Sequence, residues 1–358
     1  MDVQERCNGK KMGYMLRENI WNSKSMGCLC LCVWLVMMYS CKNKEEEIAE
    51  VPVENVFLES FEDEVFSVQE KNFRQQDSVL AKKYFPFYSY FIKDIVYYRR
   101  EEDSTHRLLL EFVNDKDLRF VYSEVKKIFT EKERKKIEED IYRLHQHIRY
   151  YFPNRSLPKR YLSFISGFNY QIVYPEGTDV IGVSLDMYLG SPHKVYEWLQ
   201  WPQYRIRQLQ KEFIVVDIAK AWLFSQYPYG KYNNLLEHSM YYGKILYVVK
   251  QLLPTIHDTL LFSYTGKQLA YCKKYEKNLW GYFLEDNRWY DNSPKSLSMY
   301  LNDGPFTSVI SKECPPRIAM YLAFRIVESF MKKNEWSLEQ LLQEENAQKI
   351  LQQSRYKP

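Results

Sequence analysis

The sequence contains few of the residues that interrupt regular secondary structure, with 12 glycines and 14 prolines among 358 residues. This scarcity argues against collagen-like, linker-dominated and disordered chains, because those are much richer in glycine or proline. The net charge is only +4, which provides no broad basic face for nucleic acid. We therefore expect an ordered globular protein that does not bind nucleic acid.

The sequence also lacks the common motifs of phosphate binding and hydrolysis. It has no GxxxxGK[ST] or GxGxxG loop, and Gly182-Val183-Ser184-Leu185 fails as a GxSxG elbow because Asp186 follows it. There are six histidines. His145 and His147 lie two residues apart, so they cannot share a helical face as metal ligands and are expected at the surface. We predict no catalytic residue, no metal ligand and no cofactor.

Cysteine is scarce in the body of the chain, where only Cys272 and Cys314 follow position 41. Two buried free thiols are expected there, with a disulfide between them as the alternative.

No apolar run reaches the roughly 20 residues that a membrane-spanning helix requires. The run 26–39 has 14 residues, the length of a signal-peptide core, and it ends with Ser40 before Cys41. This junction resembles the lipobox of bacterial lipoproteins, which implies cleavage before Cys41 and diacylglycerol on its sulfur. The alternative is a short anchor helix with an incidental cysteine. We predict a lipoprotein signal peptide at 1–40, a polar tether at 41–54 and one domain at 55–358.

Hydrophobic periodicity predicts an α+β fold that is predominantly helical. Between residues 159 and 185 the period changes to 2, which predicts a small antiparallel β-meander of three strands at 161–165, 168–174 and 180–185. Apolar residues elsewhere recur at helical spacing. The main predicted helices span 131–151, 213–226, 235–253, 266–285, 317–333 and 338–353.

Several charged residues fall in apolar surroundings and are expected to be buried. They are Asp186, Asp217, Arg317 and Arg325. Such groups usually pair with one another, and the alternative is an electrostatically tuned pocket. His238 and Tyr242, on the predicted helix 235–253, complete this possible pocket.

An ordered series of segments resembles the gliding-motility lipoprotein GldB family of Bacteroidetes, over residues 41–358. The segments are ISGFN at 165–169, GVSLDMYLG at 182–190, YGKILY at 242–247, NDGPFT at 302–307 and SRYKP at 354–358. The resemblance implies a cell-envelope lipoprotein of the gliding or type IX secretion machinery, held by its lipid and acting through contacts with envelope proteins.

That family is distantly similar to zincin-like metallopeptidases, in which a strand meander precedes a helix bearing HExxH. The matching segment runs from Gly243 through Lys244 to Tyr247. Both metal ligands and the catalytic glutamate are replaced there, and Lys244 stands where the glutamate would be. The resemblance thus implies a zincin-like helical body without its metal.

The leading hypothesis is therefore a non-enzymatic, membrane-anchored lipoprotein on the periplasmic face or the outer-membrane surface. One alternative is an atypical or remnant zinc metallopeptidase that draws ligands from His193, His238, His257 or acidic residues. Another is a glycan-binding surface lipoprotein, suggested by the 31 tyrosines.

Overall fold

The computed structural model of the chain describes residues 44–96 and 105–358. The predicted signal peptide 1–40 and the predicted lipidation residue Cys41 therefore lie outside the described residues. Contacts within the chain group residues 48–358 into one folded unit, distinct from residues 1–47. This unit begins at Ile48, which is 1% exposed and falls within the predicted tether 41–54.

The N-terminal half of the described chain is mostly helical. Its α-helices are α1 (Lys44–Ala49), α2 (Phe61–Phe66), α3 (Phe73–Lys83), α4 (Phe87–Tyr90), α5 (Thr105–Asn114), α6 (Lys116–Ile128) and α7 (Glu131–Tyr151). A π-helix at Phe91–Val96 continues α4, and a 3₁₀ turn at Glu70–Asn72 precedes α3. The bounds of α7 are those that the apolar spacing predicts.

Thr130 and Glu133 have the spacing that predicts a capping box at the start of α7, but this prediction is wrong. Thr130 makes no side-chain capping bond. Glu133, the other half of the expected box, instead accepts a hydrogen bond from the Lys211 ammonium at 2.6 Å. The sequence pattern of a capping box considers only neighbouring residues, whereas Lys211, from a distant part of the chain, pairs with the Glu133 carboxylate.

The two histidines of α7 are buried rather than at the surface, with 4% of His145 and 8% of His147 exposed. All residues from Leu144 to Ile148 are buried, so this part of α7 is enclosed on every side. A hydrogen bond of 2.7 Å joins His145 Nε2 to the Tyr161 hydroxyl. Burial lowers the pKa of His145 to about 4. The surface prediction failed because spacing along one helix does not show what covers its outer face.

The sheet has four strands in the order β1-β2-β4-β3, namely β1 (Leu58–Ser60), β2 (Arg160–Phe164), β3 (Ile172–Val173) and β4 (Val180–Ser184). β1 pairs with β2 in parallel, and β2 pairs with β4 in parallel, with Tyr161 opposite Ile181. Only β3 is antiparallel, to β4. The predicted antiparallel meander is therefore wrong, because β4 lies between β2 and β3.

Burial explains why this sheet is mixed. All five residues of β4 and four of the five in β2 are buried. Strands covered on both faces are typical of parallel pairing, whereas a solvated meander shows alternating burial. A Cβ at Gly182, in the middle of β4, would lie 2.4 Å from the Phe87 ring. The glycine therefore allows α4 to pack directly on the sheet.

The rest of the chain is helical, as predicted. Its α-helices are α8 (Val195–Trp198), α9 (Gln203–Ile206), α10 (Ile214–Gln226), α11 (Leu235–Leu252), α12 (Asp258–Phe262), α13 (Gly266–Leu284), α14 (Pro294–Leu301), α15 (Ile318–Lys333), α16 (Leu338–Gln343) and α17 (Ala347–Ser354). A 3₁₀ segment at Leu185–Tyr188 precedes α8, and two more, Lys211–Phe213 and Glu285–Tyr290, lie between later helices. α15 is central, since Ile318, Leu322 and Phe330 are fully buried.

The helix predicted at 338–353 is two helices. A capping box of Ser337 and Gln340 opens α16. Asn346 then starts α17 by accepting a hydrogen bond from the Lys349 backbone N–H at 2.9 Å. Asparagine is a strong N-cap, so the chain can end one helix and begin another without losing its apolar spacing.

The two predicted free thiols are confirmed, because Cys272 and Cys314 are both unbonded and buried. Burial raises the pKa of Cys314 to about 12, so it remains a thiol at neutral pH. Within the described residues, none of the helices combines the length and apolarity needed to cross a bilayer.

Candidate functional site

The segment that resembles a degenerate metallopeptidase motif is a contact between α11 and α15. A Cβ at Gly243 would lie 2.6 Å from the carbonyl carbon of Ala323 and 2.8 Å from the backbone nitrogen of Phe324. Tyr247, one turn later, places its ring centroid 6.2 Å from that of Phe324. Glycine occupies position 243 because the α15 backbone leaves no room for a side chain.

Lys244 points away from α15 and binds the end of α16. It is 6% exposed, and its ammonium donates hydrogen bonds to the carbonyl oxygens of Leu342 at 3.2 Å and Glu344 at 2.7 Å. The last carbonyls of a helix have no partner within the helix, and a cation is favourable there. Burial lowers the pKa of Lys244 to about 8, opposed by the charges of Glu344 and Glu345. Lys244 therefore serves as a C-terminal cap.

The structure gives no support to a zincin-like site at this segment. Gly243 and Tyr247 face α15, whereas Lys244 donates its hydrogen bonds to the end of α16. The three positions therefore do not converge on a cleft. Among the described residues, no group of three histidine, cysteine, aspartate or glutamate side chains is placed to hold a metal ion.

Asp186 anchors a loop rather than lining a pocket. It is fully buried, and its carboxylate accepts hydrogen bonds from the backbone N–H groups of Ser166 at 3.2 Å and Phe168 at 2.7 Å. The Ser184 hydroxyl also donates to it. Burial raises the pKa of Asp186, and these hydrogen bonds oppose the rise. The carboxylate thus fixes the ISGFN loop, which leads the chain from β2 to the far edge of the sheet.

Arg325 belongs to an ion-pair cluster at the C-terminus of the chain. Its guanidinium binds Glu276 at 2.9 Å and also pairs with Glu328. Tyr356, in the SRYKP segment, donates a hydrogen bond to Glu276 at 2.5 Å. Arg325 and Tyr356 therefore tie α15 and the chain end to α13 and do not meet Asp186.

Two of the four remaining predicted pocket residues line one cavity of about 250 Å³. It lies between α10, α11, α12 and α15, and Tyr242 and Arg317 both line it. Most of its wall is aromatic or aliphatic and includes Leu246, Phe262 and Met320. Small, mostly apolar cavities with a few polar groups are the usual form of ligand sites.

The charged groups of the cavity come from α10 and from the start of α15. Lys220 lines the cavity, and Asp217 lies one turn earlier on the same helix. Asp217 accepts hydrogen bonds from the Tyr188 hydroxyl at 2.9 Å and from the Gln171 amide at 3.4 Å. Arg317 donates to the Phe262 carbonyl at 3.0 Å.

Burial raises the pKa of Asp217, an effect opposed by Lys220, by the Tyr188 hydroxyl and by Arg317. Burial lowers the pKa of Lys220, while the charge of Asp217 raises it and that of Arg317 lowers it further. The three charged groups therefore influence one another across a poorly solvated site.

His238 does not line this cavity. Its Nδ1 shares a hydrogen bond with the hydroxyl of Tyr229, and burial lowers its pKa. The Tyr229 ring also contacts Tyr242, with centroids 5.6 Å apart. Tyr229, Tyr232, Tyr241 and Tyr242 have their rings in contact and form a tyrosine cluster. A second, polar groove of about 880 Å³ adjoins this cluster, and Tyr232 and Glu237 are among its lining residues.

Lys220 is the site residue that sequence reasoning missed. The signal was present, because Lys220 falls in the same apolar helix as Asp217, three residues later, and residues at this spacing share a helical face. A lysine is usually solvated, so its apolar neighbours received less weight than those of the aspartate.

The family model described as Gliding motility protein GldB matches residues 41–358. No curated protein matches the chain. No solved structure matches it either. Since the match extends from Cys41 to the last residue, this chain belongs to the GldB family of gliding motility proteins.

Proposed function

We propose that this protein is a lipid-anchored protein of the cell envelope that acts in gliding motility or type IX secretion. In this proposal Cys41 carries the lipid, and the folded unit works by contacting other envelope proteins rather than by catalysis. Cleavage before Cys41 would remove residues 1–40.

The position at which the family match begins is the observation that carries the proposal. It begins at residue 41, the residue that the lipobox resemblance gives as the first of the mature chain. The lipobox concerns the residues before the junction, whereas the family match concerns those after it. Two different stretches of sequence therefore support the same processing site.

The start of the folded unit then sets how far it can lie from the membrane. Ile48 is buried, and the Gln146 amide donates hydrogen bonds to the carbonyl oxygens of Ala49 at 2.7 Å and Val51 at 3.3 Å. Ile48 is seven positions after Cys41. Seven residue steps span at most about 25 Å when fully extended, and less where the chain is helical, as in α1. A lipid on Cys41 would hold the unit against the membrane surface.

The roles of three polar groups, two of them buried, support a non-enzymatic function. Asp186 fixes a loop, Lys244 caps α16 and Arg325 joins α15 to α13. Catalytic groups are typically left with a free lone pair or proton aimed at a cleft. These three side chains are used by the fold itself.

The decisive experiment is Cys41→Ser, with Cys32→Ser in the apolar run as the matched control. Cells that express each variant are labelled with radioactive palmitate, and the mass of the purified chain is measured. We expect Cys41→Ser to remain unlabelled and to retain residues 1–40, while Cys32→Ser is labelled and cleaved. Palmitate on the Cys41→Ser chain would disprove the anchor.

The role in motility or secretion needs a separate measurement. In a deletion strain, the wild-type gene should restore surface spreading or secretion, and the Cys41→Ser gene should not. Unchanged spreading and secretion after deletion would contradict the motility part of the proposal while leaving the lipid anchor intact.

Glycan binding is a second candidate because of one feature, the groove of about 880 Å³ beside the tyrosine cluster. Tyr290, which lines this groove, is 50% exposed, and exposed aromatic rings can stack on sugars. A glycan array probed with the full chain tests this candidate. Signal that is lost in Tyr290→Ala would favour it, and a silent array would dismiss it.

A further inference from the structure

The cavity of about 250 Å³ contains an ammonium group that has no counter-ion in contact. Within the described part of the chain, Lys220 Nζ has neither a hydrogen bond nor an ion pair. Asp217 influences it electrostatically, but the hydrogen bonds of that carboxylate come from Tyr188 and Gln171.

The second cation of the cavity is only partly paired. Arg317 Nε is buried without a hydrogen-bond acceptor, and its nearest carboxylate oxygen, Asp303 Oδ1, lies 3.6 Å away. One Nη of the same guanidinium donates to the Phe262 carbonyl. Of the two cations that line the cavity, Lys220 is therefore the one whose charge is not matched by contact.

Removing a cation from water is costly unless an anion replaces the lost hydration. Phe224, Leu246 and Phe262, which line the cavity with Lys220, cannot do so. An anion that enters the cavity would pair with Lys220 and lie near the guanidinium of Arg317, which also lines it.

We propose that this cavity binds a small monoanion with an apolar body, of the class of medium-chain carboxylates. Its carboxylate would lie between Lys220 and Arg317, and its hydrocarbon part against Leu246, Phe262 and Met320. This binding does not depend on the lipid anchor or on the motility role.

The size and charge of the cavity select this class. A volume of about 250 Å³ is small compared with pockets for drug-sized ligands, which excludes nucleotides and long acyl chains. A dianion such as a phosphate monoester carries two negative charges, whereas Lys220 offers only one positive charge without a counter-ion in contact. A purely polar anion would leave the aromatic wall without a partner.

Octanoate is a suitable probe, with octanamide as its uncharged counterpart and acetate as the anion without an apolar body. The full chain is reconstituted in lipid nanodiscs and titrated by calorimetry, and the heat from empty nanodiscs is subtracted. We expect saturable binding of one octanoate per chain and at least tenfold weaker binding of octanamide and acetate.

Two substitutions of Lys220 test the ion pair. Lys220→Met keeps the length of the side chain but removes the charge, and it should weaken octanoate binding roughly ten- to hundredfold. Lys220→Arg should bind within a few-fold of the wild type. Lys267→Met, at an exposed position, is the matched control and should change nothing.

Met320→Trp tests the cavity itself, because the larger side chain would fill the space. We expect it to abolish octanoate binding while the thermal unfolding midpoint shows that the chain remains folded. If Lys220→Met fails to fold, Lys220→Arg and Met320→Trp still decide the question. No saturable heat above that of empty nanodiscs overturns the proposal. So does equal binding by Lys220→Met and Lys267→Met, or undiminished binding by folded Met320→Trp.

Discussion

Replacing Gly243 by alanine should destabilise the folded unit, because the new methyl group has no space. Its Cβ would lie 2.6 Å from the carbonyl carbon and 2.8 Å from the Cβ of Ala323. Two central helices must then separate, and overpacking of this kind costs about 1–3 kcal/mol. Alanine recovers up to about 1 kcal/mol through its better helix propensity. We expect a net loss of about 1–2 kcal/mol, which lowers the unfolding midpoint by about 2–3 °C in a chain of this size.

Gly281→Ala is a matched control, since Gly281 also lies inside a helix, α13, and has no atom within 4 Å of its would-be Cβ. This substitution should raise the free energy of unfolding by about 0.5–1 kcal/mol. Differential scanning calorimetry of the two variants should therefore show shifts of opposite sign.

A third variant identifies the contact responsible. Adding Ala323→Gly to Gly243→Ala removes one of the three atoms that the new methyl group meets and should restore part of the lost stability. The α15 backbone remains in place, so recovery should be incomplete. Stabilisation by both Gly243→Ala and Gly281→Ala would refute the close crossing of α11 and α15.

Three further substitutions test buried polar groups. His145 has a folded-state pKa of about 4 against 6.5 for an ordinary histidine, so the unfolded chain binds more protons between these values and stability falls as the pH decreases through that range. Between pH 7 and pH 4, denaturant titrations should show that the free energy of unfolding falls by about 3 kcal/mol less in His145→Gln than in the wild type. An equal fall in both proteins would contradict the burial of His145 in its neutral form. Lys244→Met should leave the Leu342 and Glu344 carbonyls without their donor, so amide hydrogen exchange in α16 and α17 should quicken roughly tenfold; unchanged exchange would show that Lys244 is not the cap. Asp186→Asn should cost about 2–3 kcal/mol, because an amide NH₂ would meet the backbone donors of the ISGFN loop, whereas exposed Asp286→Asn should be nearly neutral in the same unfolding assay.

The helices could be predicted from the sequence because helical contacts are local. α7 has the predicted bounds, and α11 and α15 differ from their predictions by one residue at one end. The strand pairing could not be predicted in the same way. β1 and β2 are about 100 residues apart in the chain, and β4 enters the sheet between β2 and β3. Period and turn residues identify strands, but their order depends on what covers each face.

For the site, the sequence predicted four buried charges. Asp186 is fully buried, whereas Asp217, Arg317 and Arg325 are only partly buried, and the sequence did not show which of them meet. An ionisable residue in an apolar stretch must find a partner, and this physical need does not specify the partner. Asp186 binds backbone N–H groups, Arg325 binds glutamates, and Asp217 binds Tyr188 and Gln171. Arg317 lines the small cavity together with Lys220, which lies one turn after Asp217 on α10.

The geometry of an α-helix explains why the adjacent residues of the 242–247 segment have different roles. Successive residues of an α-helix are separated by about 100° around its axis, so three neighbours face three different directions. Tyr242 lines the small cavity, Gly243 touches α15 and Lys244 binds the end of α16. Each of these positions requires a particular type of residue because each contacts a different neighbour. A metal site needs the opposite arrangement, with ligands one turn apart on one face. Substitutions at these three adjacent positions should therefore affect ligand binding, helix packing and helix capping separately.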